Sequence, residues 1–145
     1  MITDYLDAHY RHLEDAEHLF GASRWANADH LYGVAAECGL KRLMIAFGMK
    51  VDTTTGTPSN RQDRVHVMET RKPDNAWDRY ETYRSGHNTA AGYVLTSTNP
   101  FIDWDVSQRY AHRRHFDQVR ADSHRLGARA VRALVNKAIL EGLLT

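Results

Sequence analysis

Cysteine occurs once in this chain, at Cys38, so no internal disulfide can be drawn and the disulfide-stapled secreted scaffolds are excluded. Long uncharged runs are also missing. The most apolar stretch, residues 31–46, carries Glu37, Lys41 and Arg42, which excludes a bilayer-spanning helix. The chain opens Met1-Ile2-Thr3-Asp4 and continues with charges every few positions, unlike the apolar core of a signal peptide. A cytoplasmic location without membrane attachment is therefore expected. Runs of alternating β-branched residues stop after three or four positions, and no internal repeat is visible, so neither sheet nor solenoid is expected.

What remains is a helical text. At 145 residues with 42% apolar side chains, residues 1–145 suffice for a single domain with one core. Thr3 is a candidate N-cap, and Leu6, Tyr10, Leu13, Ala16 and Phe20 follow at helical steps up to Gly21. Ser23 opens a second, broader face from Trp25 to Phe47 that stops at Gly48. Residues 49–62 are rich in turn formers and predict an exposed, flexible loop. A short helix is expected over Arg64 to Arg71, ending before Pro73, and Asn75 caps a further one with Trp77, Tyr80, Arg84, His87, Ala91 and Val94 on its face. Ser97-Thr98-Asn99-Pro100 interrupts the chain. From about Asp103 the pattern resumes through Phe116, Val119, Ser123, Leu126, Ala130 and Ala138, as one long helix or two divided at Gly127. The fold class is all-α, an antiparallel bundle of four or five helices, with the C-terminal segment against the first two.

Nine histidines invite a metal, and His9 with His12, or His112 with His115, stand three apart. No Glu-x-x-His, HExxH or paired CxxC accompanies them, so no metal is assigned. No glycine-rich phosphate loop and no nucleophile elbow occur, and no cofactor is assigned. Cys38 sits mid-helix on an apolar face, where a thiol is packing. Glu37 and Lys41 have the spacing of an ordinary helix ion pair. Trp77, Trp104 and Tyr80 have the spacing of core residues, with base stacking as the alternative.

Charge is balanced overall, at +1, but unevenly spread. Seven arginines and two acids lie between Arg109 and Arg132. Such a stretch either contacts a polyanion, with Arg113, Arg114 and Arg120 as the phosphate contacts, or forms a solvated face or the partner of an acidic helix. Within Trp104–Phe116, Arg109 and His115 combine a fixed cation with a group that moves protons near neutrality, the two functions that metal-free RNA cleavage requires.

Arg109-x5-His115 has the form of the R-x(4–6)-H motif of the HEPN (higher eukaryotes and prokaryotes nucleotide-binding) ribonucleases. The run Ala28-x-x-Leu31-Tyr32-x-x-Ala35-Ala36-Glu37-x-x-Leu40-Lys41-x-Leu43 resembles the second helix of many HEPN domains, and the likeness extends over about 100 residues. The resemblance implies a HEPN-like, RNA-associated protein whose enzymatic form is a metal-independent endoribonuclease of a toxin or defence system. Arg109 would then hold the scissile phosphate and His115 act as acid or base. It also implies a homodimer, with RNA or a nucleotide as ligand. The competing reading is a non-catalytic helical module that binds a nucleotide or a partner protein, such as a nucleotidyltransferase-type companion.

Overall fold

A computed structural model describes residues 1–95 and 98–145, so Ser97 of the expected chain break lies outside the described residues. Four α-helices make the bundle: α1 (Tyr5–Gly21), α2 (Trp25–Ala46), α3 (Ala76–Ser85) and α4 (Gln118–Leu140). The described residues contain no strand, only the isolated bridge between Val51 and Pro58.

Local chemistry explains most boundaries. Asp4 rather than Thr3 caps α1, its carboxylate accepting from the backbone N–H groups of Leu6 and Asp7. Ser23 does not cap α2; it takes a left-handed φ of 57° in the tight α1–α2 turn, and Arg24 occupies the N-cap with no side-chain bond. Gly48, at φ 105°, ends α2 as expected. Asn75 caps α3 by accepting from the Asp78 N–H. The face expected to run on to Val94 stops at Ser85, where Gly86 takes the C-cap, and a separate 3-10 turn, Ala91–Tyr93, follows.

Residues 64–71 are not helical. Val65 and Val67 are buried while Arg64 is exposed and His66 half-buried, a two-residue alternation that lays an irregular, bent segment on the core. The preceding loop is built on Asp52, whose Oδ1 accepts from the N–H groups of Thr54 and Thr55. The Thr3 N–H binds the Thr55 carbonyl at 2.9 Å and ties the loop to the start of α1.

α1 packs antiparallel to α2, since His9 binds the Ala35 carbonyl and Tyr32 binds Glu17. It is also antiparallel to α4, through Tyr10 to Asn136 and Arg125 to Glu17. α2 and α4 therefore run parallel, a departure from an all-antiparallel bundle that the long connection between them permits. α4 is continuous through Gly127, where a Cβ would lie 2.6 Å from Pro100 Cγ and 2.9 Å from the Phe101 ring. That position is small because the connection crosses it. Gly33 serves Trp104 in the same way, since any Cβ there would collide with the indole. Trp77, Tyr80 and Trp104 are core residues.

The buried face of α4 is Ala121, His124, Ala128, Val131, Val135 and Ala138. Val119, Ser123, Leu126 and Ala130, the periodic positions read from sequence, lie on the opposite, exposed side. Hydrophobicity favours the larger side chains, whereas close helix packing has selected the smaller ones.

Candidate functional site

Between α2 and α4 lies a buried polar cluster that holds the connection in place. His124 is fully buried, with Nδ1 2.6 Å from Asp29 Oδ1 and Nε2 2.8 Å from Asp103 Oδ1. Only an imidazolium donates from both ring nitrogens, so two flanking carboxylates suit a charged ring. Gln108 donates to the second Asp29 oxygen at 2.6 Å and accepts from the Asp105 N–H, completing a capping box. Burial opposes the charge of Asp103, but the hydrogen bond from His124 and the charges of His124 and Arg120 hold its carboxyl below the usual range.

Arg120 belongs to this cluster. Its guanidinium lies 3.6 Å from Asp29 and 3.7 Å from Asp103, donates to the Asp103 carbonyl, and covers the Phe116 ring at 5.0 Å. Two carboxylates thus hold the side chain that was expected to contact RNA. Arg125 and Arg129 are committed likewise, both to Glu17, whose carboxyl they and Tyr32 pull down to about 2. The bland alternative for a basic stretch, pairing with an acidic helix of the same bundle, describes these positions.

The segment that Gln108 and Arg120 anchor is different. Two short 3-10 turns, Val106–Tyr110 and Arg113–His115, are joined by extended residues Ala111 and His112. Arg109, Tyr110, His112, Arg113, Arg114 and His115 are all exposed, and Tyr110 reaches 79%. Among the described residues no carboxylate pairs with Arg109, Arg113 or Arg114; Arg109 lies over the Tyr110 ring at 4.9 Å. A cavity of about 290 Å³ beside this loop is lined by Arg113, Ala111 and Phe116 on one side and Arg24 to Asn27 on the other, and by neither Arg109 nor His115. The two candidate catalytic residues stand on successive turns, separated by an extended link.

No family model, curated protein or solved structure matches this chain.

The site's electrostatics therefore rest on its own residues. Arg109 also acts on α2: burial, and then the charge of Arg109, push His30 below the ordinary histidine range. His30 stacks on Trp104 at 5.6 Å and 9°, while the Trp104 Nε1–H donates to its backbone carbonyl at 3.3 Å. Seven residues further along α2, Glu37 accepts from Lys41 Nζ at 2.6 Å and contacts His66 Nδ1 at 2.9 Å. The expected helix pair is thus part of a triad that includes His66. Cys38 is buried, and burial pushes its thiol up to about 12, which leaves it inert.

Sequence reasoning passed over Asp29, Asp103 and His124. One signal was legible: Asp29 falls among Ala28, Tyr32 and Ala36 on the buried face of α2, and an aspartate there must find a partner. Among the described residues no group of three or more His, Cys, Asp and Glu side chains is arranged to hold a metal.

Proposed function

We propose that this chain is an RNA-associated helical protein of HEPN-like type that takes RNA phosphates on the exposed loop Arg109–His115. The observation that carries this reading is the split in the arginines. Three of the four in α4 are spent on Glu17, Asp29 and Asp103 and the fourth, Arg132, lies over the Tyr10 ring at 5.7 Å, whereas Arg109, Arg113 and Arg114 stand in solvent beside an exposed tyrosine. Unpaired guanidiniums hold phosphates by two parallel hydrogen bonds, and an exposed aromatic ring stacks an unpaired base. Arg120 is not among the proposed contacts.

In the enzymatic form of this reading, Arg109 steadies the charge on the scissile phosphate. His115 takes the proton of the ribose 2′-hydroxyl, whose oxygen attacks the phosphorus; the P–O5′ bond breaks, the 5′-oxygen takes a proton from solvent and leaves as a hydroxyl, and the other fragment ends in a 2′,3′-cyclic phosphate. Incubation with labelled RNA in EDTA tests it. Cyclic phosphate ends that disappear in both Arg109→Ala and His115→Ala support it; intact RNA with retained binding leaves a binding module.

The partner we propose is a second copy of this chain. On the solvent side of α4, Val119, Leu126, Ala133 and Leu140 recur at heptad spacing, with Val119 79% and Leu140 87% exposed. An antiparallel pair of α4 helices crossing between Arg129 and Ala130 sets Val119 against Leu140 and Leu126 against Ala133, an isologous match. Sedimentation of Leu126→Glu as a monomer, against a wild-type dimer, is the expected result. A monomeric wild type would leave this face to a different protein.

A further inference from the structure

A second group of donors, remote in sequence from the arginine loop, surrounds a cavity of about 280 Å³ lined by Tyr5 of α1, Lys41 of α2, and Thr57, Arg64 and His66 of the intervening chain. No carboxylate lines it. Glu37 lies behind the wall with both oxygens engaged, one by Lys41 and one by His66 Nδ1. That contact fixes the imidazole and leaves Nε2 without a partner among the described residues, on a side chain 40% exposed. Arg64 donates its Nε–H to the Pro58 carbonyl at 2.8 Å, which orients the guanidinium and leaves its terminal nitrogens free. Lys41 lies 5.8 Å from the centre of the Tyr5 ring. Donors thus converge from three directions on a space at the lower bound of the ~300–1,000 Å³ typical of ligand pockets.

We propose that this cavity binds the phosphate group of a small phosphate monoester, with Arg64, Lys41 and His66 as its donors. Three terminal oxygens suit convergent donors better than the two coplanar oxygens of a carboxylate do. Arg64 and Val65 also line a second cavity of about 580 Å³, whose other walls include Gln62, Lys72, Pro73 and Asp74. The hydrogen bond to Glu37 raises the pKa of His66, which keeps the ring charged further toward neutrality. The charged and titratable groups around His66 are Glu37, Lys41 and His30 on α2, Tyr5 and His12 on α1, and Arg64 and Glu69 on its own segment. Affinity therefore falls as pH rises past the histidine range.

Calorimetric titration with inorganic phosphate, ribose 5-phosphate and ribose tests this independently of the RNA reading. Saturable binding of ribose 5-phosphate but not ribose is expected, weakened at least tenfold by Arg64→Ala and by His66→Asn. Thr57→Glu, which brings a negative charge to the mouth, should abolish it without touching the donors. Wild-type affinity should fall as pH rises past the histidine range, and His66→Asn should lose that dependence. Arg113→Glu with Arg114→Glu should leave the titration unchanged. No saturation up to ~10 mM ligand, affinity unaltered in the pocket variants, or binding of inorganic phosphate alone would each overturn the proposal.

Discussion

The arginines of α4 and those of the loop before it read as one basic stretch in sequence and as two opposite things in space. Arg120, Arg125 and Arg129 point at carboxylates that α1, α2 and the connection supply, Arg125 also lies 4.3 Å from the centre of the Phe20 ring, and Arg132 lies over the Tyr10 ring with no carboxylate partner among the described residues. Arg109, Arg113 and Arg114, a few residues away, have no such partners among the described residues and stand exposed. Charge along a chain is thus no measure of charge available to a ligand. What separates the sets is the neighbour each one faces: α4 turns one side to acidic partners, whereas the start of α2, which the 3-10 turns face, offers Asp29, already engaged by His124 and Gln108.

The comparison breaks most severely at the buried cluster. His124→Ala should take from buried Asp29 its hydrogen-bonded charge partner, leaving it Gln108 and the more distant Arg120, and cost about 3 kcal/mol, measured by denaturant unfolding. A loss below about 1 kcal/mol would mean that the cluster does not hold the connection. Glu17→Gln should cost about 2 kcal/mol by removing charge-assisted bonds to Arg125 and Arg129. Because the Glu17 carboxyl is depressed to about 2 in the fold from an ordinary 4.5, its contribution is present above pH 4.5. That contribution is lost as pH falls toward 2, so the variant should lack this part of the acid transition. The loop arginines should behave oppositely. Arg113→Ala and Arg114→Ala should change stability by no more than about 0.5 kcal/mol, since each side chain is exposed and unpaired. A larger loss would place these residues with the structural set.

Helices with strong caps and broad apolar faces were legible in the sequence. The extents of α1 and α2 follow from their periodicity and from Gly48, and Asn75 marks the start of α3. Two features were concealed by packing. The Arg64 to Arg71 segment has helix-compatible residues, yet tertiary burial of both Val65 and Val67 keeps it out of a helix. The inner face of α4 is made of Ala, Gly, Val and one histidine, whereas the larger apolar residues Val119 and Leu126 lie outside. For the site, residue type could nominate Arg109, Arg113, Arg114 and His115, because arginine and histidine are ordinarily exposed, but the helix expected from about Asp103 begins only at Gln118 and these residues lie on 3-10 turns before it. Residue type could not remove Arg120 from the set, since Asp29 and Asp103 are distant in sequence and only the fold brings them to it.

The central claim is that the loop, and not α4, meets RNA. The most direct test is the salt dependence of RNA affinity for wild type, for a loop variant carrying Arg109→Ala, Arg113→Ala and Arg114→Ala, and for an α4 variant carrying Arg125→Ala and Arg129→Ala. Each phosphate contact contributes a log–log slope of about −0.7 on single-stranded RNA, so the loop variant should lose a slope of about 2 and most of its affinity. The α4 variant, once shown to be folded, should keep the wild-type slope. Equal slopes in wild type and loop variant, or loss of slope in the α4 variant alone, would contradict the account.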